Sequence, residues 1–269
     1  MVAIVVAPIA VAVAVVVSAV VVADVAAVVL MVVVVPVTTV APTRCEVREW
    51  RYASSYTLLT AAMSFYRDRI YPHLVTVLGN PKPIEEIRRK ILPMAQGTVL
   101  EIGVGPGVNF AYYDPAKVKK LFALEPNPGM RERAEKQRRQ TKLDVEFLDL
   151  PGERISLPVA GVDTVVSTFA LCTIPGVAEA ICGMSRVLQP GGQFLFFELG
   201  LAPDASVRRW QKWTEPFFQW AFEGCYVTRD IPALIKQGGF RIEQMEKSYF
   251  AKFPKVGSYC FWGVARVER

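Results

Sequence analysis

From Thr98 onward, short apolar runs rich in β-forming residues alternate with segments of helical periodicity. The runs are TVLEIG, KLFALE, DVEFLDL, VDTVVSTFA and QFLFFELG, followed by FRIEQMEKSYF and SYCFWGVARV at the end of the chain. Such alternation is typical of βαβ units around a parallel sheet that is buried on both faces. The last two runs are joined by only AKFPKVG, which suits an antiparallel hairpin and not a crossover. We therefore predict a doubly wound α/β fold with a mostly parallel seven-stranded sheet, a terminal antiparallel strand and preceding N-terminal helices.

The first 43 residues differ in composition from the rest of the chain. They are almost wholly Val and Ala, with Asp24 as the single charge, and Arg44, Arg48 and Arg51 follow directly. An apolar run of this length exceeds the roughly 20 residues that span a bilayer, so it predicts a membrane anchor with the following domain on the cytoplasmic side. Asp24 near the middle of the run favours the alternative, an over-extended start with translation beginning near Met63 and a cytoplasmic protein.

These boundaries define three regions: the hydrophobic segment 1–43, an N-terminal helical lid 44–93, and an α/β domain 94–269. The lid carries aromatic and aliphatic residues at helical spacing, among them Tyr56, Met63 and Ile70. An aromatic-rich insert at about 201–229 interrupts the α/β domain. Its large side chains are Trp210, Trp213, Phe217, Phe218, Trp220 and Phe222.

Charge and cysteine usage exclude several classes of function. The 31 basic and 25 acidic residues are intermixed, as in EEIRRK (85–90) and RERAEKQRR (131–139), which we interpret as solvated helix faces and not as nucleic-acid contacts. The five cysteines are odd in number and lack a CxxC pair, and His73 is the single histidine. Neither a disulfide framework nor a metal site is expected, while the oligomeric state is left open.

The first strand runs into a glycine turn, VLEIGVGPG (99–107). A strand, a glycine turn and a helix start together present free backbone N–H groups to a ligand. A dinucleotide fingerprint would need its third glycine at Val108, whereas the glycines here are Gly103, Gly105 and Gly107. Glu101 would repel a pyrophosphate but attract an ammonium group, so an NAD-dependent reductase is disfavoured.

A second acid, Glu125, ends the next strand about twenty residues later, where a carboxylate can accept both hydroxyls of a ribose. The two acids together suit an adenosine that carries a cationic amino-acid tail. S-adenosylmethionine has this structure, and we expect it as the cofactor.

At these residues the sequence resembles the class I S-adenosylmethionine-dependent methyltransferases over roughly residues 84–267. The resemblance is carried by VLEIGVGPG, LEPNPGM, VDTVVSTFALC and RVLQPGGQFLFFE. GVNF, ALCTIP and above all FEGCYVTRD (222–230) resemble a narrower membrane-associated group that includes thiol S-methyltransferases. The resemblance implies a methyltransferase for a small, lipophilic acceptor: a thiol first, then a quinol or a lipid amine.

The resemblance also assigns roles to residues. Glu101 would face the methionine end, Glu125 would bind the ribose, and Thr168 would lie near the sulfonium. The glycine turn and the loops after the next strands would complete the cofactor site with Gly103, Gly105, Gly107, Asn109, Pro126, Asn127, Gly152 and Glu153. The sequence departs from the family at two positions: Pro151 stands where the family often has Asp, and Leu199 where many relatives have His. These departures motivate an alternative, in which the protein is tethered to a membrane and binds S-adenosylmethionine without catalysis.

Methyl transfer is an in-line displacement that depends on positioning, and the sequence offers no convincing base. Glu198, at the end of the fifth strand, and His73, in the lid, are the candidates for a catalytic role. A thiol with a pKa near 8.5 is already a few per cent ionised at neutral pH, whereas an alcohol would need a strong base. We expect an apolar acceptor site covered by the aromatic insert and by the helix around Met63 to Ile70.

Overall fold

The computed structural model describes residues 13–19, 30–36, 66–78 and 80–268. The chain divides into two compact units, Met1–Leu59 and Thr60–Arg269. In the first unit, strand β1 (Val13–Ala19) pairs antiparallel with β2 (Leu30–Pro36). Among the described residues, no helix has the length and apolarity needed to cross a bilayer. Most of the hydrophobic segment, together with Tyr56 and Met63 of the lid, falls outside the described residues, so the predictions made for it stay predictions.

The second unit contains a seven-stranded sheet. Its helices are α1 (Tyr71–Leu78), α2 (Lys82–Ile91), α3 (Pro128–Arg138), α4 (Val177–Val187), α5 (Ala205–Ala221) and α6 (Ile231–Gln237). Its strands are β3 (Gly97–Ile102), β4 (Val118–Leu124), β5 (Val145–Leu148), β6 (Val162–Thr168), β7 (Leu188–Leu199), β8 (Phe240–Tyr249) and β9 (Tyr259–Val267). A π-helical turn (Tyr66–Ile70) precedes α1, and 3₁₀ turns cover Leu92–Met94, Val108–Ala111 and Lys255–Gly257.

The strand order is β5-β4-β3-β6-β7-β9-β8. The first five strands pair in parallel, while β9 is antiparallel to both β7 and β8. The predicted doubly wound α/β fold with one reversed strand is confirmed. The reversed strand is last in the chain but lies inside the sheet, because the short β8–β9 connection folds β9 back between β7 and β8.

Alternate residues along the strands face two separate hydrophobic layers. On β3, Val99 packs in the layer covered by α2, whereas Leu100 and Ile102 pack in the layer covered by α4 and α6. Glu101 has the same parity as Val99 and therefore points into the first layer. Both faces of the central strands are buried, which explains why their sequences read as continuous apolar runs.

Two local predictions from the sequence are wrong. The glycine turn leads into a single 3₁₀ turn, Val108–Ala111, and not into the helix start that the sequence predicts. Arg88, in EEIRRK, is 6% exposed and does not lie on a solvated helix face. Arg88 shares one side of α2 with Ile84, Ile87 and Ile91, at the spacing i, i+3, i+4 and i+7, and is buried with them.

Helix α5 is held to the domain by Gln211, which is fully buried. Its Nε2 donates to the carbonyl oxygens of Gly200 (3.1 Å) and Val227 (3.0 Å), and its Oε1 accepts from the N–H of Ala202 (3.0 Å). One side chain thus satisfies three backbone groups of the loops on either side of α5. The position of the aromatic insert depends on this polar contact.

We expect Gln211→Leu to lower the free energy of unfolding by about 2–5 kcal/mol, because each buried backbone group left without a partner costs about 1–3 kcal/mol. Urea denaturation followed by circular dichroism measures the change. The control is Gln140→Leu, at an exposed position, for which a change within about 0.5 kcal/mol is expected. Equal stability of the two variants would contradict the role given to Gln211.

Candidate active site

The glycine turn after β3 forms an open backbone cradle. Gly103, Gly105 and Gly107 have φ values of 65°, 57° and 80°, in the left-handed region that favours glycine. A Cβ at Gly103 would overlap the side chain of Ala170, whereas a Cβ at Gly105 would meet no atom within 4 Å. Gly105 therefore borders free space, and a side chain there would occupy the volume that a ligand can use.

Glu125 fixes the shape of this turn. Its Oε2 accepts a hydrogen bond from the N–H of Gly105 (2.8 Å), and its Oε1 accepts one from the N–H of Asn127 (2.9 Å). Burial raises the pKa of this carboxyl, although these two backbone bonds oppose the shift. Each carboxylate oxygen can accept a further hydrogen bond, so Glu125 retains acceptors for a ligand's hydroxyl groups.

Glu101 lies beneath the turn and is fully buried. Its Oε1 accepts from Nδ2 of Asn109 (2.6 Å) and its Oε2 from the hydroxyl of Tyr113 (2.7 Å). Burial raises the pKa of Glu101 to about 7, while the bonds from Tyr113 and Asn109 and the charge of Arg88 oppose that shift. The carboxyl is therefore poised to respond to a cation placed near the turn.

Asn109 connects Glu101 to the end of β6. Its Nδ2 also donates to Oγ1 of Thr168 (2.8 Å), while its buried Oδ1 has no hydrogen-bond partner in the described part of the chain. The structure thus brings three predicted site residues, Glu101, Asn109 and Thr168, into one network. The unpaired Oδ1 is an acceptor available to a donor group of a ligand.

Asn127 joins three segments that are distant in sequence. Its Oδ1 caps α3 by accepting from the N–H of Met130 (3.0 Å), while its Nδ2 donates to Oε1 of Glu223 (2.8 Å) and to the carbonyl oxygen of Arg67 (3.2 Å). A Cβ at Gly129 would overlap the backbone of Asp68, so glycine permits the π-helical turn to pack against α3. The described end of the lid is thereby fixed beside Glu125.

Glu223, in the turn after α5, is the acidic member of this junction. It adopts a left-handed conformation (φ 48°) and lies 3.6 Å from Nε of Arg67. Burial raises the pKa of Glu223 to about 7, although Arg67 and Asn127 act in the opposite direction. Glu223 belongs to FEGCYVTRD, but the sequence alone did not single it out, because the partners that surround it come from two other segments.

A second group of side chains lies between β6 and the segment after α5. Cys172 and Cys225 are both buried, and the hydrogen bond between them, together with burial, raises the pKa of Cys172. Burial, followed by the charge of Glu223, likewise raises the pKa of Tyr71. Phe169 adopts a left-handed conformation (φ 55°) and packs on Phe197 with a centroid distance of 4.6 Å. The site therefore has an aromatic and thiol-rich part, and Arg88 lies over it at 6.0 Å from the ring centroid of Phe169.

Arg229 fixes this second group. Its Nη1 donates to the carbonyl oxygens of Leu171 and Ile174, and the guanidinium lies 4.3 Å from the ring centroid of Tyr226. The N–H of Tyr226 donates to the carbonyl oxygen of Cys172 (2.7 Å). Arg229 and Tyr226 thus connect FEGCYVTRD to the loop after β6 and fix the position of this segment.

The other predicted site residues are more dispersed. Pro126 is exposed, and Gly152 packs against Ile174 near the end of β3. Glu153 accepts a hydrogen bond from the N–H of Gly176 (3.0 Å) at the start of α4. No hydrogen bond among the described residues connects Gly152 or Glu153 with Glu101 or Glu125.

The two candidates for a catalytic role occupy different environments. His73 is exposed on α1. Glu198 is fully buried and, by its parity on β7, faces the layer opposite to Glu101. Its Oε1 accepts from the hydroxyl of Ser167 (2.6 Å) and from the N–H of Ala170 (3.1 Å), and burial raises its pKa to about 7. These contacts give Glu198 a part in holding the β6–α4 loop.

Comparisons with known proteins are consistent with this architecture. The methyltransferase domain family model matches residues 100–196. Thiol S-methyltransferase TMT1B of Rattus norvegicus is 32% identical over 190 residues, which cover 65% of this chain and 77% of the relative. Human TMT1B is 30% identical over 191 residues, with 66% and 78% coverage. The chain belongs to the class I S-adenosylmethionine-dependent methyltransferases of the TMT1 type.

Solved structures share the fold of this methyltransferase. A putative methyltransferase from Haloferax volcanii, solved with its activator Trm112, has a TM-score of 0.57 at 15% identity and covers 77% of this chain and 98% of its own. The YcgJ protein of Bacillus subtilis has a TM-score of 0.54 at 14% identity, with 69% and 97% coverage. The [4+2]-cyclase SpnF has the same TM-score of 0.54, so the fold alone does not determine the reaction.

The residues of the turn fit S-adenosylmethionine. The open space at Gly105, the spare acceptors of Glu125 and the unpaired Oδ1 of Asn109 suit an adenosine with a polar tail. When bound, this cofactor supplies a methyl group activated by a sulfonium. The role of the protein is to bind and orient it.

Sequence reasoning missed three residues of this environment. Arg88 lies near Glu101 with Nε and Nη1 buried and unpaired among the described residues, and Tyr113 and Glu223 bond to predicted site residues. Arg88 could have been found from the apolar spacing of α2, which places it among isoleucines. Tyr113 and Glu223 carry no such signal, because their partners are 12 and 96 residues away.

We expect Glu125→Ala to weaken S-adenosylmethionine binding about tenfold or more. The variant loses the bonds that shape the turn as well as the acceptors for the ligand, and hydrogen bonds to charged groups are worth about 1.5–3 kcal/mol each. Isothermal titration calorimetry measures the dissociation constant. Glu146→Ala, which removes an exposed carboxylate on β5 that pairs with Lys120, is the matched control. Unchanged binding by Glu125→Ala would contradict the assignment.

Because the pKa of Glu101 is held at about 7, we expect cofactor affinity to rise between pH 5.5 and 8. A cationic ligand favours the ionised form of Glu101, so binding near neutral pH releases protons from that carboxyl. Below pH 7 most of the free protein carries protonated Glu101, and the free energy needed to ionise it lowers the affinity for the cofactor. Calorimetry in two buffers of different ionisation enthalpy measures the protons released. Glu101→Gln should remove this release, and an unchanged release in that variant would assign it to another group.

Proposed function

We propose that this methyltransferase methylates the thiol group of a small, lipophilic molecule. The observation that carries the proposal is the group of aromatic and thiol side chains at the site, where Sγ of Cys172 lies 3.5 Å from the carbonyl oxygen of Phe169 and the ring of Phe169 packs on Phe197. This group of side chains contains no carboxylate or imidazole, and a thiol needs less help from a base than an alcohol does. The names of the TMT1 relatives, at 30–32% identity, support the same acceptor class.

An apolar acceptor is supported by the aromatic side chains that surround the junction of the lid and the insert. The ring of Tyr66 stacks on that of Trp220 with a centroid distance of 6.2 Å, and its hydroxyl donates to the carbonyl oxygen of Ala221 (2.8 Å). Tyr71 continues this surface at 6.3 Å from Tyr66. An alkyl or aryl substituent of the acceptor would be excluded from water by these rings.

Glu223 is the one carboxylate of this region that combines partial exposure with a pKa near 7, which is suitable for a general base. Its Oε1 is already bonded to Asn127, close to Arg67 and on the cofactor side of the junction. We therefore infer that Glu223 positions the lid against Asn127. The acceptor thiol would lose its proton to water and not to a base of the protein.

If no base acts on the acceptor, kcat/KM for a thiol should rise about tenfold per pH unit below the thiol pKa, and a thiol of lower pKa should reach its plateau at lower pH. We expect methylation of alkyl and aryl thiols, measured by the mass shift of one methyl group, to follow this rule in the native protein. Glu223→Gln should retain the dependence on thiol pKa, even where its KM for the cofactor changes.

Three outcomes would contradict the proposal. A pH profile of the native protein that follows one pKa near 7 for every thiol, and that changes to a dependence on thiol pKa in Glu223→Gln, would make Glu223 the base. Methylation of quinols or lipid amines, with none of thiols, would replace the acceptor class. Cofactor binding without transfer to any member of the panel would overturn the thiol acceptor. Glu125→Ala, which binds the cofactor more weakly, is the low-activity reference in each assay.

A further inference from the structure

Helix α5 exposes four large aromatic side chains on one side. Trp210, Trp213, Phe217 and Trp220 are 60%, 75%, 44% and 39% exposed. Their spacing of three, four and three residues places them along a single stripe of the helix. We call this stripe the aromatic face. Large apolar residues exposed together are unusual on a soluble surface and indicate an interaction site.

The aromatic face is not needed to pack α5 against the domain. The side of α5 that meets the domain carries Gln211 and Ala221, both buried, so the helix is already seated by other residues. Within the face, Trp210 contacts Trp213 edge to face at 5.5 Å, and Phe217 lies 6.1 Å from Trp220. The rings therefore form two contacting pairs along the helix, and the pair at the C-terminal end adjoins Tyr66 through Trp220.

Basic side chains border the aromatic face. Arg209 and Lys212 are exposed on the same helix, at positions that flank the stripe. The loop before β9 packs against α5 through Gly257 and Phe218, and it adds exposed Lys252 and Lys255. Glu215, the acid of α5, accepts from the hydroxyl of Thr228 (2.6 Å) and, two residues from both Trp213 and Phe217, lies on the other side of the helix from the stripe.

We propose that the aromatic face of α5 docks onto an anionic phospholipid bilayer. Trp and Phe side chains insert at the depth of the headgroups, and Lys and Arg at the rim attract anionic lipids. A second copy of the chain is the less suitable occupant, because the basic rims of two copies would repel each other. The contact is independent of residues 1–43 and belongs to the methyltransferase domain itself.

Docking would place the site next to the lipid. Helix α5 leads from Trp220 directly into Ala221 and Glu223, where Tyr66 and Asn127 close the junction. A lipophilic molecule could then reach the site from the bilayer without crossing water. This consequence rests on the proposed function, whereas membrane docking itself does not.

Photo-crosslinking tests the proposal with the full-length protein. The protein is bound to phosphatidylcholine vesicles with and without 30% phosphatidylglycerol, both carrying a diazirine-labelled phosphatidylcholine, and mass spectrometry maps the labelled peptides. We expect labels on the peptides that contain Trp210, Trp213 and Phe217, with about tenfold less label when the anionic lipid is omitted. Labels confined to residues 1–65 would overturn the proposal.

A pair of variants separates docking from general stickiness. Trp213→Glu should reduce crosslinking within α5 about tenfold or more, whereas Val159→Glu, at an apolar residue that is 68% exposed and precedes β6, should not. Circular dichroism and cofactor binding confirm that both variants fold, and neither residue belongs to the site. Equal crosslinking of α5 in both variants would overturn the proposal. The proposal would also be overturned if light scattering detected a dimer of the native protein that Trp213→Glu dissociates and Val159→Glu does not.

Loss of lipid crosslinking with thiol methylation retained would separate this proposal from the proposed function. Thiol methylation in detergent micelles by Trp213→Glu should equal that of the native protein, while methylation of a long-chain thiol held in vesicles should fall. Failure of both variants and the native protein to methylate any thiol would count against the proposed function and leave the docking result standing.

Discussion

The rest of the site depends on the two hydrogen bonds that the carboxylate of Glu125 accepts from the backbone at Gly105 and Asn127. They connect the ends of the two neighbouring strands β3 and β4, so the glycine turn and the start of α3 are positioned by the same side chain. Since the parallel strands fix the distance between these ends, the geometry of the cradle follows from strand pairing and from one buried acid. Asn127 then extends the connection to the lid and to the turn after α5.

Electrostatics divides the site into two parts. Glu101 and Glu223 are carboxyls whose burial raises their pKa values to about 7, and both lie where a cationic ligand or Arg67 can favour their ionised forms. Cys172 and Tyr71 keep their protons: the hydrogen bond to Cys225 and burial raise the pKa of Cys172, while burial and the charge of Glu223 raise that of Tyr71. A charged donor and an apolar acceptor can thus occupy adjacent regions without either being held in the wrong environment.

The sequence predicted the fold and the cradle well because each is specified by residues that are close together in the sequence. Alternating apolar runs specify a parallel sheet, and the glycines with Glu101 and Glu125 specify the cradle, since each residue acts within one strand–turn unit. Arg88, Tyr113 and Glu223 were missed because they act across segments, and charged residues in a sequence are first interpreted as solvent-exposed. The predicted helix after the glycine turn failed for a related reason: Asn109 and Tyr113 are drawn towards Glu101, and the chain there forms one 3₁₀ turn.

FEGCYVTRD shows how one short segment can serve several physical requirements. Arg229 and Tyr226 hold it against the loop after β6, Cys225 packs on Cys172, and Glu223 meets Asn127 and the lid. Its position is therefore determined by contacts with the loop after β6, with Asn127 and with the end of α5. Because the segment follows the aromatic face of α5 without an intervening linker, the lipid contact proposed for that face would lie beside the junction of Glu223 and Asn127.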